Sequence, residues 1–416
     1  MRNLVKFFSV FIAGIRVFIF AIIFLGQYVI PENDTVIEFS KYEAPKVFGV
    51  SLFTCNLPPA SAGSIKSEST EAETVQVNLL NIIPVKRTSI KRIKRQYIVL
   101  GGEIFGIKLY TDGVLVVDED FVESQNGKIN PASEAGIRVG DLIKSVNGER
   151  IYTNKRLSEI IEASNGNSLN MTVVRGNETL NLSFSSVKES STGKYKAGLW
   201  VRDSTAGIGT VTFYNPENSS FGGLGHAICD IDTGEVMPMI NGEMSEAYVN
   251  GFYKSSGGCV GELCGVFTGN GKGSLCVNCD VGIYGYTDKL PQKEKTVPVA
   301  LNNEIKIGEA EMICTVDKNG PKNYKIEITK ILKKSGEANK DMIIKITDEE
   351  LLSKTGGILQ GMSGSPIIQN GMLVGAVTHV FVNDPSQGYA VFADKMLETS
   401  ECQEMKLFQA EKQKAS

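Results

Sequence analysis

Between about residue 196 and residue 400 the chain is written as short apolar or alternating runs, each soon broken by Gly, Asn or Asp. Gly207-Ile208-Gly209-Thr210-Val211-Thr212-Phe213 is one such run, and 324–332 and 342–347 are others. Alternation sends successive side chains to opposite faces of a strand, and runs this short are too brief for buried helices. Many antiparallel strands in one segment hide their edges best by closing into a barrel or a pair of barrels. With 42% apolar and 22% charged residues, the chain has enough material for buried cores. Gly207-x-Gly209 is no dinucleotide fingerprint, because no helix follows it.

The first 30 residues are a different kind of sequence. Arg2 and Lys6 precede an apolar run over 7–30, interrupted by Arg16. About 20 apolar residues span a bilayer. A central arginine costs about 2.5–3.5 kcal/mol, which flanking Phe, Ile, Leu and Val offset. A signal peptide with 17–30 as its core would need a small-residue cleavage site just downstream, and none is there. Residues 1–30 are therefore expected to be a signal anchor, a transmembrane segment with the rest of the chain outside the cytoplasm. Residues 31–95 read as a linker with a lead-in strand. Pro58-Pro59-Ala60-Ser61-Ala62-Gly63 and the Ser/Glu/Thr-rich 64–75 are expected to be exposed and open to nicking. The net charge of -4 argues against a nucleic-acid partner. The basic run Lys86-Arg87, Lys91-Arg92, Lys94-Arg95 is interleaved with apolar residues, as in a strand edge or a linker. Residues 406–416 form a polar tail.

A compact unit is expected over 96–190. Val114-Leu115-Val116-Val117 is a buried strand, Pro131-Ala132-Ser133-Glu134-Ala135-Gly136 a short helix closed by glycine, and Asn147-Gly148 a turn after 139–146. Residues 155–163 form an amphipathic helix with Leu157, Ile160 and Ile161 on one side. The run from Pro131 through Gly148 resembles a PDZ domain of the bacterial protease-associated type. The resemblance implies a peptide ligand added as a strand, with a glycine-rich loop holding its carboxylate. That loop would be Gly101-Gly102-Glu103-Ile104-Phe105-Gly106, and the groove would be Gly106, Ile107 and Leu109 faced by Leu157 and Ile161. Glu103 is a poor neighbour for a carboxylate, which favours an internal segment as ligand.

The chemistry sits at Gly361-Met362-Ser363-Gly364-Ser365-Pro366, ahead of a hairpin with an Asn370-Gly371 turn. A turn of small residues can expose a serine and aim backbone N–H groups at one point, as acyl transfer requires. The string resembles the G-x-S-G-x-P signature of chymotrypsin-like serine peptidases. The chain has only two histidines. His226, in Gly225-His226-Ala227, reads as the general base. His379, on the strand leaving the serine turn, reads as a structural residue or a lining of the substrate pocket. For the acid, Asp348 and Asp280 both remain open, and Asp230 and Asp232 read as turn residues.

Gly207-x-Gly-Thr-x-Thr-Phe213, Leu224-Gly-His-Ala-Ile-x-Asp230, and Thr355 through Pro366 occur together behind a PDZ-like unit and an anchor. In this the chain resembles the stage IV sporulation protein B peptidase family over roughly residues 80–400. The resemblance implies a mainly β chain: an N-terminal transmembrane helix, a PDZ domain, and a chymotrypsin-like double β-barrel peptidase domain at 191–405. It further implies Ser363 as nucleophile, His226 as base and Asp348 as the orienting acid, with the N–H groups of Gly361 and Ser363 as oxyanion hole. The implied role is cleavage of a membrane-bound regulatory complex between forespore and mother cell. That cleavage would release an intramembrane protease and activate the late mother-cell sigma factor. Self-cleavage in the linker fits the same picture, and no cofactor is required. A catalytically inactive, membrane-tethered PDZ adaptor is the competing reading, and a zinc-stabilised spore-envelope protein a third. Cys259, Cys264, Cys276 and Cys279 have a spacing compatible with zinc, with disulfides, or with free thiols.

Overall fold

The computed structural model describes residues 2–38, 40, 42–47, 49–55, 72–291, 295–332, 336–402 and 405–407. The chain divides into two compact units, Met1–Gln96 and Tyr97–Ser416.

In the first unit α1 (Arg2–Val29) contains a 24-residue apolar segment, Lys6–Val29, long enough to cross a membrane. Phe7, Phe18, Phe20 and Phe24 project from it uncovered, as befits anchoring in lipid. Next come β1 (Asn33–Ile37), β2 (Phe53–Cys55), β3 (Glu73–Leu79) and β4 (Ile83–Ile93), a sheet in the order β1-β4-β3-β2. Its core holds Ile30, Val36, Phe53, Val77 and Ile90. Much of the segment read as linker is therefore folded. The reason is the alternation of Val75, Val77 and Leu79 against Val85, Thr88 and Ile90, which buries one face. The basic run lies mostly in β4, an inner strand rather than an edge. There Lys86 Nζ donates to the Gln27 and Ile30 carbonyls (3.1 and 2.7 Å) that end α1, a favourable site for a cation. Residues 58–71 lie outside the described residues.

The second unit begins with β5 (Tyr97–Leu100), β6 (Ile104–Glu119), the hairpin β7 (Val122–Ser124) and β8 (Gly127–Ile129), and α2 (Pro131–Glu134). There follow β9 (Leu142–Val146), β10 (Glu149–Arg150), α3 (Asn154–Ala163), β11 (Ser168–Arg175) and β12 (Glu178–Ser185). The short pair β13 (Val187–Lys188) and β14 (Tyr195–Lys196) precedes β15 (Leu199–Tyr214). β6 and β15 are 16 residues each and pair antiparallel from Ile104↔Thr210 to Glu119↔Leu199.

One end of this long pair belongs to the unit that resembles a PDZ domain. There β12, β11, β9, the second half of β6 and the start of β15 are hydrogen-bonded in that order. The core is Val114, Val116, Ile143, Leu157, Met171 and Phe184, with Leu199 and Val201 packed against it. Fully buried Asp141 takes the Arg175 guanidinium on both oxygens (2.7 and 2.8 Å) and the Arg138 N–H (2.9 Å), so the charge is paired as burial requires.

The other end of the pair belongs to a first β-barrel. β16 (Ser220–Gly223), β17 (Met239–Tyr253), β18 (Glu262–Cys279) and β19 (Gly282–Thr287) complete it. β6 pairs with β17, β17 with β18, β18 with β19, β19 with β16, β16 with β15, and β15 with β6, which closes a ring. Short β20 (Val297–Pro298) pairs with β5. The second barrel is β21 (Gly308–Cys314), β22 (Lys322–Ile331), β23 (Met342–Ile346), β24 (Pro366–Gln369), β25 (Met372–Phe381) and β26 (Asp384–Phe392). It is closed in the order β21-β22-β23-β26-β25-β24. α4 (Glu349–Thr355) lies between β23 and β24, and α5 (Ala393–Ser400) follows β26.

The PDZ-like unit is thus inserted between the first and second strands of the first barrel, and residues 104–111 pair within that barrel. The domain limits drawn at 96 and 190 fall elsewhere because β6 and β15 each run unbroken through both domains.

Candidate active site

The serine turn leaves β23 through α4 and enters β24, so it lies between the third and fourth strands of the second barrel. Its backbone is pinned peptide by peptide. Leu263 N–H of β18 donates to the Gln360 carbonyl (2.9 Å), and Ser365 N–H donates to Met362 O (3.0 Å). Because a trans peptide points its C=O and N–H in opposite directions, these two bonds turn the N–H groups of Gly361 and Ser363 the other way. Among the described residues neither N–H has a hydrogen-bond partner. That is the arrangement required of an oxyanion hole.

β15 holds the same turn from the first barrel. Thr210 N–H donates to Ser363 O (3.0 Å), Thr210 Oγ1 to Gly361 O (2.9 Å) and Thr212 Oγ1 to Gly364 O (2.7 Å). No catalytic signature in the sequence marks these threonines. The signal available was Thr-x-Thr in a strand, which puts both hydroxyls on one face. Thr210→Val is expected to lower kcat about 10- to 100-fold with little change in KM, less than the 10²–10³ of deleting an oxyanion donor itself. Steady-state kinetics on a peptide substrate checks this.

Ser363 is partly exposed, and its hydroxyl has no partner among the described residues. Ser365 is fully buried with an unpartnered Oγ, so only Ser363 is open to a substrate. His226 follows β16. Leu224 and Gly225 before it both adopt left-handed backbone (φ 63° and 70°), a strained pair for which the leucine gives no steric excuse. That turn lies directly against Gly364: a Cβ there would meet Leu224 N at 2.5 Å. His226 Nδ1 donates to Ala227 O (2.7 Å), which leaves Nε2 unprotonated, as a general base requires. Burial pushes the imidazole below its ordinary value, while the Ala227 carbonyl pulls the other way.

The acids are placed differently from the expectation. The Asp348 carboxylate caps α4, accepting from Leu351 N–H (3.0 Å) and Lys325 N–H (3.2 Å). Asp280 is exposed in the turn between β18 and β19, where its carbonyl accepts from Asn339 Nδ2 (2.9 Å). Among the described residues no carboxylate is hydrogen-bonded to His226. Asp230 and Asp232 act as turn residues: both bind Arg202, and Asp230 also accepts from the N–H groups of Asp232 and Thr233. Asp348→Ala should cost about 1 kcal/mol as a lost N-cap, read by thermal unfolding. A 10⁴-fold loss of kcat at unchanged Tm would instead put that carboxylate on the imidazole.

His379, on β25, is exposed, and its ring centroid lies 5.0 Å from that of His226. The expected PDZ groove is not assembled. Gly106, Ile107 and Leu109 pair with β15 and β17 in the barrel, while Leu157 and Ile161 are buried in the PDZ core. The strand beside α3 is Leu199–Arg202 of β15. Asp203 Oδ2 accepts the Asn154 N–H (2.8 Å) at the start of the helix. The four cysteines do not converge either. Cys264 and Cys276 stand in one extended strand, about 40 Å of chain path apart, and Cys259 lies in the turn before it. Among the described residues no set of three or more His, Cys, Asp or Glu is placed to hold a metal. Cys259, Cys264, Cys276 and Cys279 are therefore not gathered into one site among the described residues.

The family model for SpoIVB peptidase S55 matches residues 193–397, and a PDZ domain model matches 130–175. Among solved structures, the active form of the Rv3671c protease from M. tuberculosis is similar at 15% identity and a TM-score of 0.30, over 47% of this chain and 72% of that one. Its inactive form matches at 16% identity and 0.27, over 47% and 85%. The PDZ domain of an SdrC-like protein from Listeria monocytogenes matches at 19% identity and 0.18, over 22% of this chain and 87% of that one.

Proposed function

Because this chain belongs to the SpoIVB peptidase S55 family, we propose that it is a membrane-anchored sporulation endopeptidase working by nucleophilic serine catalysis. Ser363 Oγ attacks the scissile carbonyl, and His226 Nε2 takes its proton. The carbonyl oxygen, now negative, is received by the Gly361 and Ser363 N–H groups. His226 returns the proton to the leaving amine, and water then hydrolyses the acyl-enzyme by the same route. The Ala227 carbonyl fixes the tautomer. Asp348 serves the site through α4, whose capped start anchors the segment that runs into the serine turn. The observation that carries this reading is the pair of unpartnered N–H groups beside an accessible serine.

The substrate is a protein in a membrane-bound regulatory complex between forespore and mother cell. Its cleavage frees an intramembrane protease and so activates the late mother-cell sigma factor. Family membership, the apolar α1 and the PDZ domain support this. Facing outward from the forespore membrane, the anchor holds the peptidase within reach of membrane substrates. The PDZ domain presents Leu199–Arg202 as the strand along which an extended protein segment adds. Self-cleavage within the 31–80 segment would release the enzyme from its anchor.

A fluorophosphonate probe on the detergent-solubilised full chain, with adduct mapping by mass spectrometry, tests the chemistry. A label on Ser363, absent in His226→Ala, is expected. No label on folded protein would favour the inactive adaptor. Because His226 is held below its usual value and is active when neutral, the acidic limb of kcat/KM is expected below the usual histidine range of about 6.5. A pH profile reads it directly.

A further inference from the structure

His226 has a backbone carbonyl where other serine peptidases place a carboxylate. A carbonyl fixes which ring nitrogen carries the proton. It carries no full charge to stabilise the imidazolium that forms when Ser363 is deprotonated, and it leaves the ring face unsupported. A second imidazole packs beside it: the His379 ring is tilted 40° to the His226 ring with centroids 5.0 Å apart, within the range of favourable ring pairs.

β25 is built to deliver this contact. Its register against β26 shifts between Val377 and Val380, and a bulge of this kind re-aims side chains beside active sites. Val377 pairs with the serine turn, accepting from Gly364 N–H (2.7 Å) and donating to Ser365 O (3.0 Å). Thr378 turns inward, where its Oγ1 donates to Asn339 O (3.0 Å) and its methyl fills the space beside Gly225. His379 follows and meets His226. Three consecutive residues therefore tie the nucleophile turn, the histidine turn and the base itself.

We propose that His379 is the positioning residue of His226: its neutral ring holds the base toward Ser363 and supports the imidazolium formed in the transition state. The proposal rests on the Ser363–His226 reading. The charged groups facing His379 are Lys340 and Glu337, ion-paired at 2.5 Å, and His226 itself; facing His226 are His379 and the Ala227 carbonyl. Although much of its side chain is exposed, desolvation where the His379 ring meets its neighbours, then His226, then Lys340 push it down to about 4, with Glu337 opposing. Both rings are thus neutral near pH 7. A cation opposite a neutral ring face is attracted, whereas a charged His379 would repel it.

The test measures acylation of the detergent-solubilised full chain by a small fluorophosphonate, too short to read a peptide pocket. His379→Ala is expected to slow acylation about 3- to 30-fold, the range of a ring–cation contact. His379→Phe should recover most of that rate. His379→Lys should be slower than His379→Ala, and peptide KM should stay constant across the series. Acylation of His379→Ala at the wild-type rate with a raised peptide KM would make His379 a pocket residue and overturn the proposal. Phe as slow as Ala would overturn it too. If His379→Ala does not fold, the Phe-to-Lys rate ratio decides: a large ratio supports the proposal, and equal rates refute it. His226→Ala runs alongside, and labelling that survives in it would refute the underlying base assignment instead.

Discussion

Ser363→Ala and His226→Ala are each expected to reduce peptide hydrolysis about 10⁴- to 10⁶-fold, with the double variant no worse than either. Non-additivity is the informative part. Nucleophile and base act in one proton transfer, so losing one leaves nothing for the other to do. The residual activity would come from the oxyanion donors and substrate binding, which neither change touches. Neither side chain makes a hydrogen bond to a distant segment among the described residues. The Ser363 hydroxyl has no partner among the described residues, and His226 bonds only to its neighbour's carbonyl. Thermal unfolding should therefore move by no more than a degree or two while turnover collapses. Two moderate, additive losses would mean that serine and histidine do not work as a unit.

Gly364→Ala should be nearly as damaging by a different route. Gly364 sits at φ +93°, and a Cβ would lie 2.0 Å from Thr210 O and 2.5 Å from Leu224 N. Both obstacles are backbone, and both belong to the first barrel: one on the strand that pins the oxyanion turn, the other on the turn that carries His226. The substitution must push the two barrels' catalytic loops apart. We expect a loss of about 3–5 kcal/mol, the upper end for a point mutation, and a Tm lower by about 10 °C. kcat should fall by at least about 10³-fold, since a 1 Å displacement at a reacting centre already costs about 10². Calorimetry and turnover on one preparation read both. A folded, active Gly364→Ala enzyme would show that the turn tolerates a different backbone path.

Much of this site was legible in the sequence because its parts are local. Gly361 through Pro366 carries its own turn chemistry, and only two histidines competed for the role of base. Strand spacing pointed to one barrel or a pair, the family resemblance implied two, and the apolar length of the first 30 residues pointed to an anchor. Pairings between distant segments were not legible. Nothing local in Ile107-Lys108-Leu109 says that it pairs with 205–207 and 242–244 in the barrel rather than lining a peptide groove. The strand that replaces it beside α3, Leu199–Arg202, lies beyond the β11–β12 hairpin, separated from it by β13 and β14. The four cysteines suggested a cluster through their spacing, yet spacing brings thiols together only where the chain turns, and here it stays extended. Asp348 illustrates a further limit. A carboxylate just ahead of a short helix suits an N-cap as well as a catalytic acid, and only the hydrogen bonds to Leu351 and Lys325 distinguish the two roles.

The most direct measurement is a crystal structure of the full chain with a peptide boronate bound. Boron bonded to Ser363 Oγ, one boronate oxygen about 2.7–3.1 Å from the N–H groups of both Gly361 and Ser363, and His226 Nε2 on the second oxygen are predicted. Boron on Ser365, or an oxygen that meets neither N–H, would contradict the assignment of this turn as the catalytic centre.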